Sequence, residues 1–219
     1  MRIDIHESLK GQWTDGTRPK DLFEKYIAHD IDRYVSVIID GLDAGNRRIE
    51  NGCAELASLV SEKSPEALYP HIDLFIANLG AKEKIIRWEA VCTLGNLASV
   101  DSAGKVVPHI DVFIRFLENK SIVLQGHSLR ALSKIADAFP SETMKIFSAV
   151  STAAPSFPGN KIGFVIEAVA PLSKRPDMLA KVRAFVAPYE QSGIPVVARK
   201  AKKAMKEMTA SGAKRKDNA

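Results

Sequence analysis

A repeat with a displacement of 38 residues constrains this chain more than any other feature. Tyr69-Pro70-His71-Ile72-Asp73-Leu74-Phe75-Ile76 recurs as Val107-Pro108-His109-Ile110-Asp111-Val112-Phe113-Ile114, with six of eight positions identical. The preceding segments keep the same displacement: Cys53, Leu56, Leu59 and Val60 map onto Val91, Leu94, Leu97 and Ala98, then onto Leu129, Leu132, Ile135 and Ala136. A fourth copy fits at 37 residues through Ile166, Val169 and Leu172. A fifth, more polar one fits at 36 through Lys202, Met205 and Met208. A repeat in this size range implies a stacked architecture, because one such unit cannot bury its own apolar face.

The periodicity within each copy is helical. Apolar residues recur at i, i+3, i+6, i+7 in the first segment and at i, i+3, i+4, i+7 in the second, and strand-type alternation is absent. Ile72, Phe75, Ile76 and Leu79 share one face of the second helix, as do Ile110, Phe113, Ile114 and Leu117 one repeat later. Breaks near 61–65, 100–104 and 139–141 separate the helices of a unit, and Gly80, Asn119 and the 156–160 cluster separate units. Gly52, Ala90 and Gly95 lie near the repeated leucines. A helical glycine costs about 1 kcal/mol against alanine, so a packing role is expected there.

Over roughly residues 46–208 the pattern resembles HEAT repeats of the armadillo-like class. The residues that carry it are Arg87-Trp88-Glu89-Ala90-Val91-Cys92-Thr93-Leu94-Gly95-Asn96-Leu97-Ala98 for an outer helix and Pro108-His109-Ile110-Asp111-Val112-Phe113-Ile114 for an inner one. It departs from the family in lacking an early outer-helix proline and in placing Pro171 within the fourth outer helix. The fold expected is all-α, a right-handed α-α superhelix of about eleven helices. An N-terminal arm would occupy 1–18, and a single solenoid domain 19–208. Within that domain lie a cap at 19–45, repeats near 46–82, 83–120, 121–158 and 159–192, and a terminal helix at 193–208. A basic flexible tail over 209–219 completes the frame.

Charge is distributed unevenly. The last 21 residues, 199–219, hold eight of the 31 Lys and Arg but two of the 26 Asp and Glu, so the net +5 arises entirely there. The body is nearly neutral, and the high pI describes a local segment. No apolar run approaches the roughly 18 residues of a membrane-spanning helix, so no membrane association is expected. Arg2, Asp4, Glu7 and Lys10 interrupt any export signal, and Cys53 and Cys92 are too few for a disulfide framework. Cytoplasmic residence with reduced, buried thiols and a monomeric state are the expectations.

The search for chemistry leaves no catalytic, cofactor-binding or metal residue to name. His6-Glu7 lacks the second histidine of a zinc-protease helix. The remaining histidines, His29, His71, His109 and His127, have no clustered ligand spacing, and the iron-binding His-Glu pairs of a HEAT-like hydroxylase family have no counterpart. His71 and Asp73, like His109 and Asp111, stand two positions apart, about 200° around a helix, which suits capping or contacts between repeats better than a shared ligand. Ser102-Ala103-Gly104-Lys105 and Ser211-Gly212-Ala213-Lys214 match a Ser-x-x-Lys spacing without its companion motifs, and both phosphate-loop patterns are missing.

Function is therefore expected to be binding: a non-enzymatic scaffold holding a protein or peptide partner on its concave inner-helix surface. Asp73, Asn78, Asp111 and Arg115 lie off the repeated apolar face and are the partner-binding candidates. The alternative is a nucleic-acid-binding protein related in fold to HEAT-like DNA alkylpurine glycosylases. Arg199, Lys200, Lys202, Lys203 and Lys206 would make that contact, or one to an acidic partner. Trp13 and Trp88 are the only tryptophans, and the aromatic, acid-bearing pocket of the glycosylases has no place here.

Overall fold

The computed structural model describes residues 3–13 and 16–216, and side chains through 210. It is all-helical, with no strand among the described residues. The chain divides into two compact units, Met1–His109 and Ile110–Ala219.

The first unit holds α1 (Ile5–Lys10), α2 (Pro19–Leu22) continuing into a π-turn over Phe23–Ile27, α3 (Ile31–Gly41), α4 (Arg47–Lys63), α5 (Pro65–Leu68), α6 (Ile72–Asn78) and α7 (Lys84–Leu97). Helix α4 begins cleanly because Asn46 Oδ1 accepts hydrogen bonds from the backbone N–H groups of Arg48 and Ile49. It packs along α7, and α3 and α6 cover the pair. The repeated leucines form this core: Leu56, Val91, Leu94 and Leu97 are completely buried. Asn96 Nδ2 on α7 donates to Ser61 Oγ on α4 at 2.9 Å, tying successive copies together.

Residues 3–13, expected as part of an arm, contain a docked helix. Asp4 caps α1 by accepting from Glu7 N, and Ile5 and Leu9, four positions apart, are buried. Two glycines make room for it. A Cβ at Gly52 would lie 2.5 Å from Leu9 Cδ2, and one at Gly41 would lie 2.8 Å from His6 Nε2 and 2.2 Å from Cys53 Sγ. The packing role expected of Gly52 is thus contact with α1.

The second unit holds α8 (Ile110–Phe116), α9 (Ile122–Ala138), α10 (Thr143–Ala153), α11 (Ile162–Val169), α12 (Pro176–Val186) and α13 (Pro195–Lys216). Helices α9 and α11 pack side by side, as do α11 and α13, while α8 and α10 lie against α9 and α12 lies against α13. Phe147 of α10 and Phe185 of α12 meet edge to face with centroids 6.2 Å apart.

Among the described residues there are thirteen α-helices where about eleven were expected. Proline accounts for part of the difference. Pro70 sits in a 3-10 turn, Tyr69–His71, that divides one second-type helix into α5 and α6, and Pro108 sits in the corresponding turn before α8. Pro171 likewise closes α11: the α-helix stops at Val169 and a 3-10 segment, Ala170–Lys174, takes over. The terminal helix runs eight residues beyond the boundary read at 208, through a stretch rich in the strong helix formers alanine, lysine and arginine. Its buried stripe is Val197, Ala201, Ala204 and Met208. Lys202, placed on the apolar face by the 36-residue displacement, is exposed, and Ala201 and Ala204 are buried in place of Lys202 and Met205, while Met208 is buried as the displacement places it.

Candidate functional site

Within the second unit an open groove of ≈ 570 Å³ runs between α9 and α11. Helix α9 starts with Ile122-Val123-Leu124, three apolar residues in succession. At 100° per residue they cannot share one face. Leu124 enters the core, whereas Ile122 and Val123 remain 43% and 41% exposed at the groove. On α11 the sequence Ile162-Gly163-Phe164-Val165-Ile166 is apolar all round. The core takes Ile162, Val165 and Ile166, and Phe164 is left 46% exposed in the opposite wall. Gly126 lines the groove from α9, and a Cβ there would find no atom within 4 Å.

The margin of the groove is charged. Arg130, Lys134 and Asp137 on α9, Glu167 on α11 and Lys174 of the 3-10 segment all line it. His127 accepts a hydrogen bond at Nδ1 from the Arg130 guanidinium at 3.1 Å, the arrangement of a neutral imidazole. Burial, reinforced by the Arg130 charge, pushes its pKa down to about 4. Lys200 crosses from α13 to pair with Glu167 at 2.8 Å, with its ammonium 4.9 Å from the Phe164 ring centroid. Gly163 permits this path, since a Cβ there would come within 2.9 Å of Lys200 Cδ. A second depression of ≈ 310 Å³, beside α13, shares Glu167, Pro171 and Lys174 with the first and adds Lys200 and Lys203. The two form one continuous surface over α9, α11 and α13.

The partner-binding candidates lie elsewhere. Asp73 and Asn78 are on α6 of the first unit, where Asp73 pairs with Lys105 at 2.7 Å. Asp111 and Arg115 are on α8 of the second unit, where Asp111 pairs with Lys145 at 2.8 Å. Both aspartates therefore reach forward to a lysine more than 30 residues on, and none of the four lines the α9–α11 groove. Of the basic cluster, Lys200 and Lys203 line the second depression, and Lys203 stands 3.9 Å from Glu207. Arg199, Lys202 and Lys206 are exposed on α13 at i, i+3, i+7, a single stripe away from the buried face.

Other titratable groups serve the fold. Asp101, 3% exposed, accepts from the backbone N–H groups of Lys105 and Val106 at 3.0 and 2.8 Å and from the Tyr69 hydroxyl at 2.9 Å. That last hydrogen bond, helped by burial, holds the Tyr69 pKa above the ordinary phenolic range. Burial pushes the Cys53 thiol up to about 12, so it stays protonated, and Cys92 is half-buried. Among the described residues no three or more His, Cys, Asp or Glu side chains gather as a metal would require.

Repeat analysis did not single out Ile122, Val123, Gly126 or Phe164. The repeat register marks residues that copies share, and a groove is made by what one copy does differently. The signal available was local: three consecutive apolar residues at the start of α9, and five in succession, 162–166, at the start of α11, each forcing at least one large side chain outward.

The paired, stacked helices define a helical-repeat fold of the HEAT and armadillo-like class. Solved structures with the same arrangement include an engineered protein determined by a structural-genomics consortium (TM-score 0.65, 15% identity, covering 96% of this chain and 98% of that one). A designed armadillo repeat protein is similar (TM-score 0.63, 13% identity, 93% and 98% coverage), as is a second consortium-determined engineered protein (TM-score 0.62, 14% identity, 95% and 100% coverage). These likenesses concern fold alone. No family model matches the sequence, and no curated protein is significantly similar to it. No helix among the described residues is long and apolar enough to cross a membrane.

Proposed function

We propose that this chain is a non-enzymatic helical-repeat scaffold that holds a protein partner. The observation that carries this reading is the α9–α11 groove. Three of the four exposed large hydrophobic side chains of the described chain, Ile122, Val123 and Phe164, converge in it, where water contact is unfavourable and a partner would relieve it. The inner-helix candidates, Asp73 and Asn78 in the first unit and Asp111 and Arg115 in the second, are weaker ones, because each aspartate is already engaged by a lysine of its own unit.

The test is affinity capture from the source cell with three baits: the natural chain, Val123→Glu with Phe164→Glu, and Asp111→Lys with Arg115→Glu. A stoichiometric protein lost with the first pair and kept with the second assigns the groove. The reverse pattern assigns the inner-helix face and removes the groove. Capture of no protein by the natural chain overturns the scaffold reading.

A second reading, contact with nucleic acid, is favoured by the Arg199, Lys202 and Lys206 stripe on α13. Neutralising phosphates releases counterions, so such binding would fall steeply with salt. A 20-base-pair DNA that fails to bind at 50 mM salt removes this reading.

A further inference from the structure

Arg199, Lys202 and Lys206 of α13 carry charge that no hydrogen bond or ion pair engages among the described residues. At 100° per residue their stripe lies opposite the buried one of Val197, Ala201, Ala204 and Met208, so it faces away from the core. Helix α13 has a single carboxylate, Glu207, and it stands beside Lys203 at 3.9 Å.

Tertiary packing brings a fourth cation to this edge. The Arg183 guanidinium of α12 donates to Thr209 Oγ1 at 3.4 Å, one turn beyond Lys206, and Arg183 is exposed with no carboxylate paired to it. From Arg199 to Thr209 the edge follows ten residues of α13, about 15 Å at the helical rise. Each strand of a DNA duplex presents one phosphate per roughly 3.4 Å of axis, so about four phosphates lie along that length.

What the edge lacks narrows the partner. The exposed large hydrophobic side chains of the described chain, Ile122, Val123, Met144 and Phe164, belong to α9, α10 and α11, so α12 and α13 offer no apolar anchor of the kind that fixes a protein partner. Helix α13 has no aromatic residue on which an unpaired base could stack, and its apolar stripe is buried in the core, where it cannot enter a bilayer. Double-stranded RNA is read across successive minor grooves over about 16 base pairs, which an edge of this length does not span. A row of DNA phosphates needs charge alone, and contact with it carries no sequence information.

Resting on the nucleic-acid reading, we infer that Arg199, Lys202 and Lys206 of α13, joined by Arg183 of α12, bind the phosphates of one strand of duplex DNA without reading its sequence.

Fluorescence anisotropy of the full chain with two labelled 20-base-pair DNA duplexes of unrelated sequence, between 50 and 200 mM salt, tests it. The two should bind within about threefold of each other, and log Kd should rise against log salt with a slope of about 3–4, as four neutralised phosphates require. Arg183→Gln should weaken binding about threefold to tenfold and lower the slope by about 1. Lys84→Gln removes an exposed lysine of α7 and the same net charge, and should change the affinity less than about twofold. Arg199→Glu with Lys202→Glu and Lys206→Glu should abolish binding with an unchanged circular dichroism spectrum, since all three side chains are exposed. One strand of either duplex alone should bind at least about fivefold more weakly. A tenfold preference between the duplexes overturns the inference and leaves the nucleic-acid reading standing. So does tighter binding of the single strand or of a 20-base-pair RNA duplex, or an equal effect of Arg183→Gln and Lys84→Gln. Polyglutamate that displaces the duplex as well as unlabelled duplex does, or phosphatidylserine vesicles bound as tightly, overturns it by assigning the edge to an acidic protein or to an anionic surface. Binding of no nucleic acid at 50 mM salt removes the inference and that reading together.

Discussion

At His127, burial and the Arg130 guanidinium act in the same direction, both disfavouring a second proton on the imidazole. The folded pKa of about 4 lies below the ordinary value of 6.5, so between these limits the unfolded chain binds more protons than the folded one. Stability from this residue is complete above about pH 6.5 and falls as the pH drops toward 4, by roughly 1–3 kcal/mol. Urea unfolding of the natural chain and of His127→Gln at pH 7 and pH 4.5 checks this. The natural chain should lose more stability on acidification, and parallel losses would contradict it. Asp101 works differently, because it satisfies two backbone N–H groups and the Tyr69 hydroxyl at once. Asp101→Ala strands those donors and should destabilise the fold by about 2–4 kcal/mol, read from the shift in urea midpoint. Cys53, buried with its thiol protonated, should resist a thiol reagent at pH 8 in the native protein and react once urea unfolds it.

Glycine substitutions separate the elements by what each helix leans on. Gly126→Ala adds a methyl group in open space on α9, and the gain in helix propensity should stabilise the chain by about 0.5–1 kcal/mol. Gly52→Ala adds the same group 2.5 Å from a Leu9 side chain that is itself fully buried and has nowhere to swing. It should cost about 1–3 kcal/mol through displacement of α1. Thermal midpoints moving in opposite directions are the expected result, and the same direction for both would undo the account of α1 docking. Leu94→Ala, in the middle of the α7 core stripe, should cost about 2–5 kcal/mol. The helical character and repeat register of α4, α7 and α9 were legible in sequence because their buried leucines recur at a fixed displacement. Helix α1 was not, since it has only six residues and no copy elsewhere, and the notch it fills belongs to α3 and α4.

For the whole molecule, the distribution of buried residues predicts how the C-terminus can be cut. Met208 is the last buried residue among the described side chains of α13, and residues 211–219 contribute Lys214, Arg215, Lys216 and Asp217 to the net charge. Deleting 211–219, a segment whose sequence has no apolar periodicity to bury, should leave the thermal midpoint within about 1 °C while reducing the net charge from +5 to +3. Circular dichroism of the truncated and full chains should show the helical double minimum with no strand contribution. A large fall in midpoint on truncation would place packing beyond Met208.

The sequence by itself determined that the chain is all-helical, that its helices are paired, and that successive pairs must stack. These follow from the period of apolar residues along the chain, a one-dimensional property. It also located the basic excess at the C-terminus. What it did not determine was which face offers a site. Asp73 and Asp111 looked available as polar residues off the apolar stripe, but folding brought Lys105 and Lys145 to them. Ile122, Val123 and Phe164 carry no mark in the repeat register, yet each helix has one inward face and these side chains exceed what it holds. Pairing partners and leftover apolar surface depend on which residues meet across helices, and only the tertiary structure decides that.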